Sequence, residues 1–204
     1  MFSSLLLNIF SLTYGAVTAL ISQYSYYAIL VLMLLEAAAF PVPSEVVLPA
    51  VGYLAATNQL NPPLSFAAVI IGGIIGMGVD YYIAYFLGKD VVYRHLSLFH
   101  VNRERLEAFD DWFAKNGAFA VFITRLVPLV RALINFPAGF AQMPARKFFV
   151  YSIAGTLVWD VLLIGFGYYA LSLNSFPMVI ASIFLFALAL YAVYHFTMKR
   201  IKKK

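Results

Sequence analysis

Phe40-Pro41-Val42-Pro43-Ser44-Glu45 interrupts an apolar run over 26–56, and Arg125-Leu126-Val127-Pro128-Leu129-Val130-Arg131 interrupts a second run over 118–140. Further apolar stretches lie over 5–22, 64–88, 148–171 and 177–198. The chain has 204 residues, 63% hydrophobic and only 11% charged, against about 25% charged in soluble domains. A chain this apolar calls for the bilayer as its solvent. At about 20 residues per helical crossing, its length suits one domain of roughly five to seven membrane segments.

Proline removes a backbone donor and clashes with the preceding helical turn. Non-helical backbone at membrane depth survives only where protein or a wet cavity satisfies it. The two breaks therefore predict two re-entrant hairpins, each of two half-helices. The competing reading is a plain bundle of Pro-kinked helices. Loop charge favours the hairpins. Lys89, Arg94, Arg103, Arg105 and Lys115 fall in 89–115, Arg146 and Lys147 in 141–147, and the tail is Lys199-Arg200-Ile201-Lys202-Lys203-Lys204. Loops 57–63 and 172–177 hold no Lys or Arg. The positive-inside rule puts the first three on the cytoplasmic side and the last two outside, so 118–140 must enter and return. By the same parity 26–56 enters and returns from the outside, which requires 5–22 to cross from a cytoplasmic N-terminus.

The expected fold is an all-α polytopic membrane protein with two inverted repeats. Each repeat is a re-entrant Pro-broken hairpin followed by a transmembrane helix, with flanking N- and C-terminal helices. Residues 1–204 form a single membrane domain: an N-terminal helix over 1–25, hairpin plus helix over 26–88, a cytoplasmic loop over 89–117, hairpin plus helix over 118–171, and a C-terminal helix and basic tail over 172–204. Segment 5–22 lacks a basic n-region and an A-x-A site, so it reads as retained rather than cleaved. Within the loop, Leu106, Phe109, Trp112 and Phe113 space an amphipathic helix over 101–113, with Asn102 as its N-cap, lying along the inner membrane surface.

The charges inside apolar segments are Glu36, Glu45, Asp80, Arg125, Arg131 and Asp160, and such charges are costly there. Glu36 and Glu45 flank the first break, Arg125 and Arg131 the second. If the hairpin tips meet, two carboxylates face two guanidiniums, whose forks suit a phosphate. Glu36, Glu45, Arg125 and Arg131 are the expected substrate-binding residues, and Glu36, Glu45 and Asp80 the expected proton-coupling ones. Pro41, Pro43, Pro128, Pro137 and Gly139 shape the hairpin breaks. The alternative is structural ion pairing that only pins the hairpins together. Gly72, Gly73, Gly76 and Gly78 read as helix-packing residues. The chain has no cysteine, and His95, His100 and His195 have no metal-ligand spacing. No catalytic residue, metal or cofactor is expected, and the basic residues sit in loops and tail rather than on a nucleic-acid-binding face.

These residues resemble the DedA family, also called the VTT or SNARE-associated membrane protein family. The resemblance covers about 26–171. It rests on Glu36 with the stretch Phe40 to Pro49, on Phe122-Ile123-Thr124-Arg125-Leu126-Val127-Pro128-Leu129-Val130-Arg131, and on Pro137-Ala138-Gly139, Met143, Phe148 or Phe149, Gly155 and Trp159. It implies two oppositely oriented re-entrant hairpins and movement of a lipid between leaflets, as family members are linked to polyprenyl phosphate carriers or phosphatidylethanolamine, some with dependence on the proton gradient. Its functional acids and arginines correspond to Glu36, Glu45, Arg125 and Arg131. Leu129, where many members have Gly, and Lys89-Asp90 depart from its pattern.

The function expected is transport of a phosphate-bearing lipid between leaflets, linked to protons, by a non-enzyme in the cell membrane with a cytoplasmic C-terminus. Membrane lipids and protons are the partners, with a homo-oligomer left open and no nucleic acid. The rivals are a proton-coupled exporter of a small ion or drug, and a non-transporting scaffold built on the 101–113 helix.

Overall fold

The computed structural model describes residues 2–94, 103–128 and 130–169, with side chains described over 12–88, 111–128 and 130–169. The 172–177 loop, the 177–198 segment, the basic tail, Asn102, Leu129 and all three histidines as candidate ligands lie outside the described side chains. The described residues form six α-helices and no strand: α1 (Phe2–Ala37), α2 (Ser44–Ala56), α3 (Pro62–Arg94), α4 (Arg103–Thr124), α5 (Asn135–Phe140) and α6 (Ala145–Tyr169).

Two prolines set where α1 and α4 stop. A proline ring clashes with the carbonyl four residues before it. Pro41 stands four residues past Ala37 and Pro128 four past Thr124, the last residues of the two helices. Each break then folds tightly: Val42 N–H donates to the Phe40 carbonyl and Val130 N–H to the Pro128 carbonyl, both at 2.7 Å. The helix ends are thus fixed beside Glu36 and Arg125.

Three helices end in the same hydrogen-bonded closure. At α1, Ala39 N–H donates to the Glu36 carbonyl and Phe40 N–H to the Leu35 carbonyl, the 5→2 and 6→1 pair of a Schellman motif. Asn58 and Gln59 close α2, and Gln142 and Met143 close α5, in the same way. The left-handed residues are Ala39 (φ 56), Asn58 (φ 58) and Gln142 (φ 51), none of them glycine. A side chain branched at Cβ is strained in that region. Ala39→Val is therefore expected to destabilise the protein by about 1–2 kcal/mol, whereas Ala39→Gly leaves the melting temperature unchanged or higher; thermal unfolding in detergent reads both.

Two findings modify the sequence-based boundaries. The division expected between a helix over 1–25 and a hairpin from 26 is a kink inside α1, where Ser25 leaves helical geometry (φ 53, ψ −129). The amphipathic 101–113 helix and the first half of the second hairpin, expected as separate pieces, are one continuous α4. Residues 103–124 contain no proline and a single glycine, so nothing interrupts the hydrogen-bond ladder where the composition changes.

The helices packed together are α1 on α3, α2 on α6, α3 on α5, α1 on α2 and α4 on α6. Small residues sit at the crossings. A Cβ on Gly72 or Gly76 would meet the Leu30 or Leu34 carbonyl of α1. A Cβ on Gly52 would meet the Ile164 carbonyl of α6, and one on Gly167 the Pro49 carbonyl of α2. Gly155 abuts Arg125 and Phe122 where α4 ends, and Gly139 abuts Tyr81 and Ala84 of α3. Close backbone approach of this kind is how helices associate in lipid.

Leu12–Ala37, Pro62–Gly88 and Ala145–Tyr169 are long and apolar enough to cross a membrane. Their outward faces are apolar: on α3, Ile71, Ile75, Val79 and Ile83 form an exposed stripe at four-residue spacing. A quarter turn round α3, the inward face carries Gly72, Gly76 and the buried Asp80. Apolar outside and polar inside is the arrangement of a helix bundle in lipid. The chain is an all-helical, multi-pass membrane protein.

Candidate functional site

The described residues that are both charged and buried are five: Glu36, Asp80, Arg125, Arg131 and Asp160. They gather between two apolar clusters. One contains Met33, Val47 and Trp159, and the other contains Met77, Tyr81, Ala138 and Phe148. Tyr81 helps fix the second: its ring stacks on Phe148 at 4.3 Å between centroids, and its hydroxyl donates to the Met143 carbonyl.

Arg131 and Glu36 join the second break to the end of α1. Nε donates to Oε1 at 2.7 Å and one terminal nitrogen, Nη2, to Oε2 at 2.6 Å. This is the two-pronged geometry that makes an arginine–carboxylate pair strong and specific. The other terminal nitrogen, Nη1, has no hydrogen-bond partner and lies 4.0 Å from Oδ1 of Asp160. The guanidinium also stands 5.7 Å from the centre of the Trp159 ring, within reach of a cation–π attraction.

Arg125 has a different environment. Its Nη2 donates to Asn135 Oδ1 at 2.6 Å and to Ser152 Oγ at 3.3 Å. Asn135 in turn donates to the Ala37 carbonyl at 2.9 Å and to Asp80 Oδ2 at 3.2 Å. One asparagine thus ties the start of α5 to the end of α1, to α3 and to the second break. Asn135 and Ser152 are uncharged, and a search for costly charges passes over them; the signal available is a lone amide in the apolar run Ala132-Leu133-Ile134-Asn135-Phe136.

A cavity of about 320 Å³ opens beside this centre. Its wall includes Glu36, Phe40, Pro41, Pro43, Glu45 and Arg131. Glu45 is half-buried, in the first turn of α2, so the N-terminal end of that helix faces the cavity with its positive dipole end. Arg125 is not part of the wall and is 2% exposed.

The structure therefore brings Glu36, Glu45 and Arg131 to one cavity and places Arg125 and Asp80 behind it. The charges still share one field: Arg131 interacts with Glu36, Asp160 and Glu45, and Arg125 with Arg131, Glu36, Asp160 and Asp80. Pro41, Pro43 and Pro128 stand in the breaks. Pro137 and Gly139 lie inside α5, Pro137 in its first turn, where a missing N–H costs little. Among the described residues no group of three or more His, Cys, Asp or Glu is arranged to hold a metal ion.

Residues 42–169 match the VTT domain family. The chain is 34% identical over 197 residues to undecaprenyl phosphate transporter A of Staphylococcus aureus, covering 92% of this chain and 96% of that protein. It is 30% identical over 168 residues to protein DedA of Escherichia coli, covering 78% and 75%. It is 29% identical over 151 residues to an alkaline phosphatase-like protein of Lactococcus lactis, covering 72% and 71%. No solved structure matches. The family model covers more than half of the chain, and the Staphylococcus aureus relative almost all of it: the chain belongs to the VTT domain family, the family of DedA.

Proposed function

We propose that this protein moves a phosphate-bearing lipid between the leaflets of the cell membrane, with proton movement linked to the lipid. The substrate class is a polyprenyl phosphate carrier or a glycerophospholipid such as phosphatidylethanolamine; the name of the Staphylococcus aureus relative favours the first. The observation that carries the reading is Arg131 on a cavity wall, with two of its nitrogens given to Glu36 and the third unpartnered. A guanidinium held in that way can exchange its carboxylate for a phosphate of like geometry. The first turn of α2 adds backbone donors at the same place. Glu36, released from Arg131, and Glu45 take up protons as the anion enters, with Asp80 behind them. Arg125 lends its charge to the site and sets the shape of the second break through Asn135 and Ser152.

The same reading takes 1–204 as one membrane domain whose two breaks are the tips of re-entrant hairpins in inverted repeats. Length supports it: residues 26–37 and α2 reach only about 18–20 Å as helices, short of about 30 Å of hydrocarbon. The packing supports it as well. The helix after each break pair packs on its own repeat, α3 on α1 and α6 on α4, and the element leaving each break packs on the other repeat, α2 on α6 and α5 on α3. Repeats that meet at mid-membrane around broken helices are a recurring transporter design. The basic tail then lies in the cytoplasm. A scaffold built on the 101–113 helix is less economical, because that helix runs directly into Arg125.

The test is leaflet-to-leaflet movement of a labelled polyprenyl phosphate and a labelled phosphatidylethanolamine in proteoliposomes, with an imposed pH gradient. The wild type is expected to move one of them at least tenfold faster than empty liposomes, and Arg131→Gln to lose that excess. Movement of neither lipid by folded wild-type protein sinks the reading and favours export of a small solute.

A further inference from the structure

Three buried acids face two buried arginines among the described residues. If all five were ionised, one negative charge would stand uncompensated in an apolar surrounding, which is costly. Hydrogen bonding separates the three acids. Glu36 receives both prongs of Arg131. Asp80 receives Asn135. Asp160 is fully buried, and neither of its oxygens has a hydrogen-bond partner.

Among the described residues, three charges act on Asp160. Arg131 and Arg125 come from the second break and Glu36 from the end of α1; Asp80 of α3 and Glu45 in the first turn of α2 are the remaining acids of the centre and its cavity. Arg131 Nη1, at 4.0 Å from Oδ1, points toward Asp160 without bonding to it. The side chains beside it on α6, Thr156 and Trp159, also keep an unpartnered polar atom each. Asp160 is thus a carboxyl set next to a guanidinium that another carboxylate already holds. A shift of about 1 Å would bring Nη1 to bonding distance.

We propose that Asp160 is a proton-binding site: it holds a proton while Arg131 is engaged by Glu36, and gives it up when Arg131 turns to it. The proton sits on whichever of the two acids Arg131 leaves. With Arg131 on Glu36 the centre is then neutral, with Glu36 and Asp80 against Arg125 and Arg131. An arriving phosphate takes Arg131 from Glu36, which then binds a proton while Asp160 keeps its own, so one negative charge that it brings is matched by one proton bound in the centre. This inference rests on the transport reading for its use, but not for its existence, and adds to Glu36 a second proton-binding acid away from the cavity wall.

Infrared spectroscopy of the reconstituted protein at neutral pH tests it without any lipid substrate. The wild type is expected to show one band of a buried protonated carboxyl. Asp160→Asn removes that band. Glu36→Gln also removes it, because it hands Arg131 to Asp160. Absence of the band in wild type, or its survival in Asp160→Asn, overturns the proposal; the wild-type result stands even if a variant fails to fold. A second arm uses labelled polyprenyl phosphate in liposomes. Asp160→Asn, which copies the protonated form, is expected to bind it within threefold of wild type, and binding weakened more than tenfold overturns the proposal. Infrared bands as expected in a protein that moves no lipid would sink the transport reading alone.

Discussion

Arg131→Met is expected to lower stability by about 3–5 kcal/mol, because it strands the buried Glu36 carboxylate without the guanidinium that holds both of its oxygens. Both side chains are buried, at 6% and 8% exposure, so water in the cavity takes over only part of the lost contacts. Glu36→Gln alone should cost less, since the amide still accepts one of the two hydrogen bonds. The double variant Glu36→Gln/Arg131→Met should recover most of the loss of Arg131→Met, as replacing both members of a buried pair is often neutral. Thermal unfolding of the four proteins in detergent closes the cycle. A double variant as unstable as Arg131→Met would show that the pair contributes nothing and that Arg131 acts through its packing on Trp159. Lipid movement behaves differently in the same set. The double variant regains stability but has no guanidinium for the phosphate, so its transport stays at the level of empty liposomes. Recovered stability with absent transport separates a binding role for Arg131 from a merely structural one.

The ends of α1 and α4 are legible in the sequence, because a proline acts four residues upstream by a fixed steric rule. Glu36, Arg125 and Arg131 are legible for a similar reason: a charge in an apolar run must be answered, and the sequence offers few answers. The kink at Ser25 is not legible, since serine carries no backbone prohibition. The continuity of α4 is obscured by a change in composition at Gly117-Ala118 that the hydrogen-bond ladder ignores. Nothing in the sequence marks Ala39 or Gln142 as left-handed, where glycine is the usual signal. Asp160 is visible as a charge, but its closeness to Arg131 depends on how α6 packs beside the second break, which no local pattern carries. The different stations of the two arginines, one on the cavity and one behind it, follow from the same packing.

Asn135→Ala is expected to be the most destabilising change at an uncharged position, by about 3–6 kcal/mol. The amide makes three buried bonds: it accepts from Arg125 and donates to Asp80 and to the Ala37 carbonyl. Alanine supplies none, and each group left buried without a partner costs about 1–3 kcal/mol. The loss also reaches geometry. Asn135 holds the beginning of α5 against the last turn of α1, so removing it frees the second break to move relative to Glu36. Arg125 would keep Ser152 at 3.3 Å as its remaining partner. Asn135→Asp makes the sharper comparison. It keeps the acceptor for Arg125 and adds an attraction to it, but loses both donor bonds and sets a carboxylate against Asp80. If the asparagine serves mainly to satisfy Arg125, Asn135→Asp should retain most of the stability that Asn135→Ala loses. If it serves as a bridge among α1, α3 and α5, the two variants should be comparably unstable. The bridging geometry favours the second outcome, and thermal unfolding of both variants beside wild type decides between them. A loss of less than about 1 kcal/mol in Asn135→Ala, the size of an ordinary single hydrogen bond, would mean that other groups answer Arg125 and Asp80 when the amide is gone.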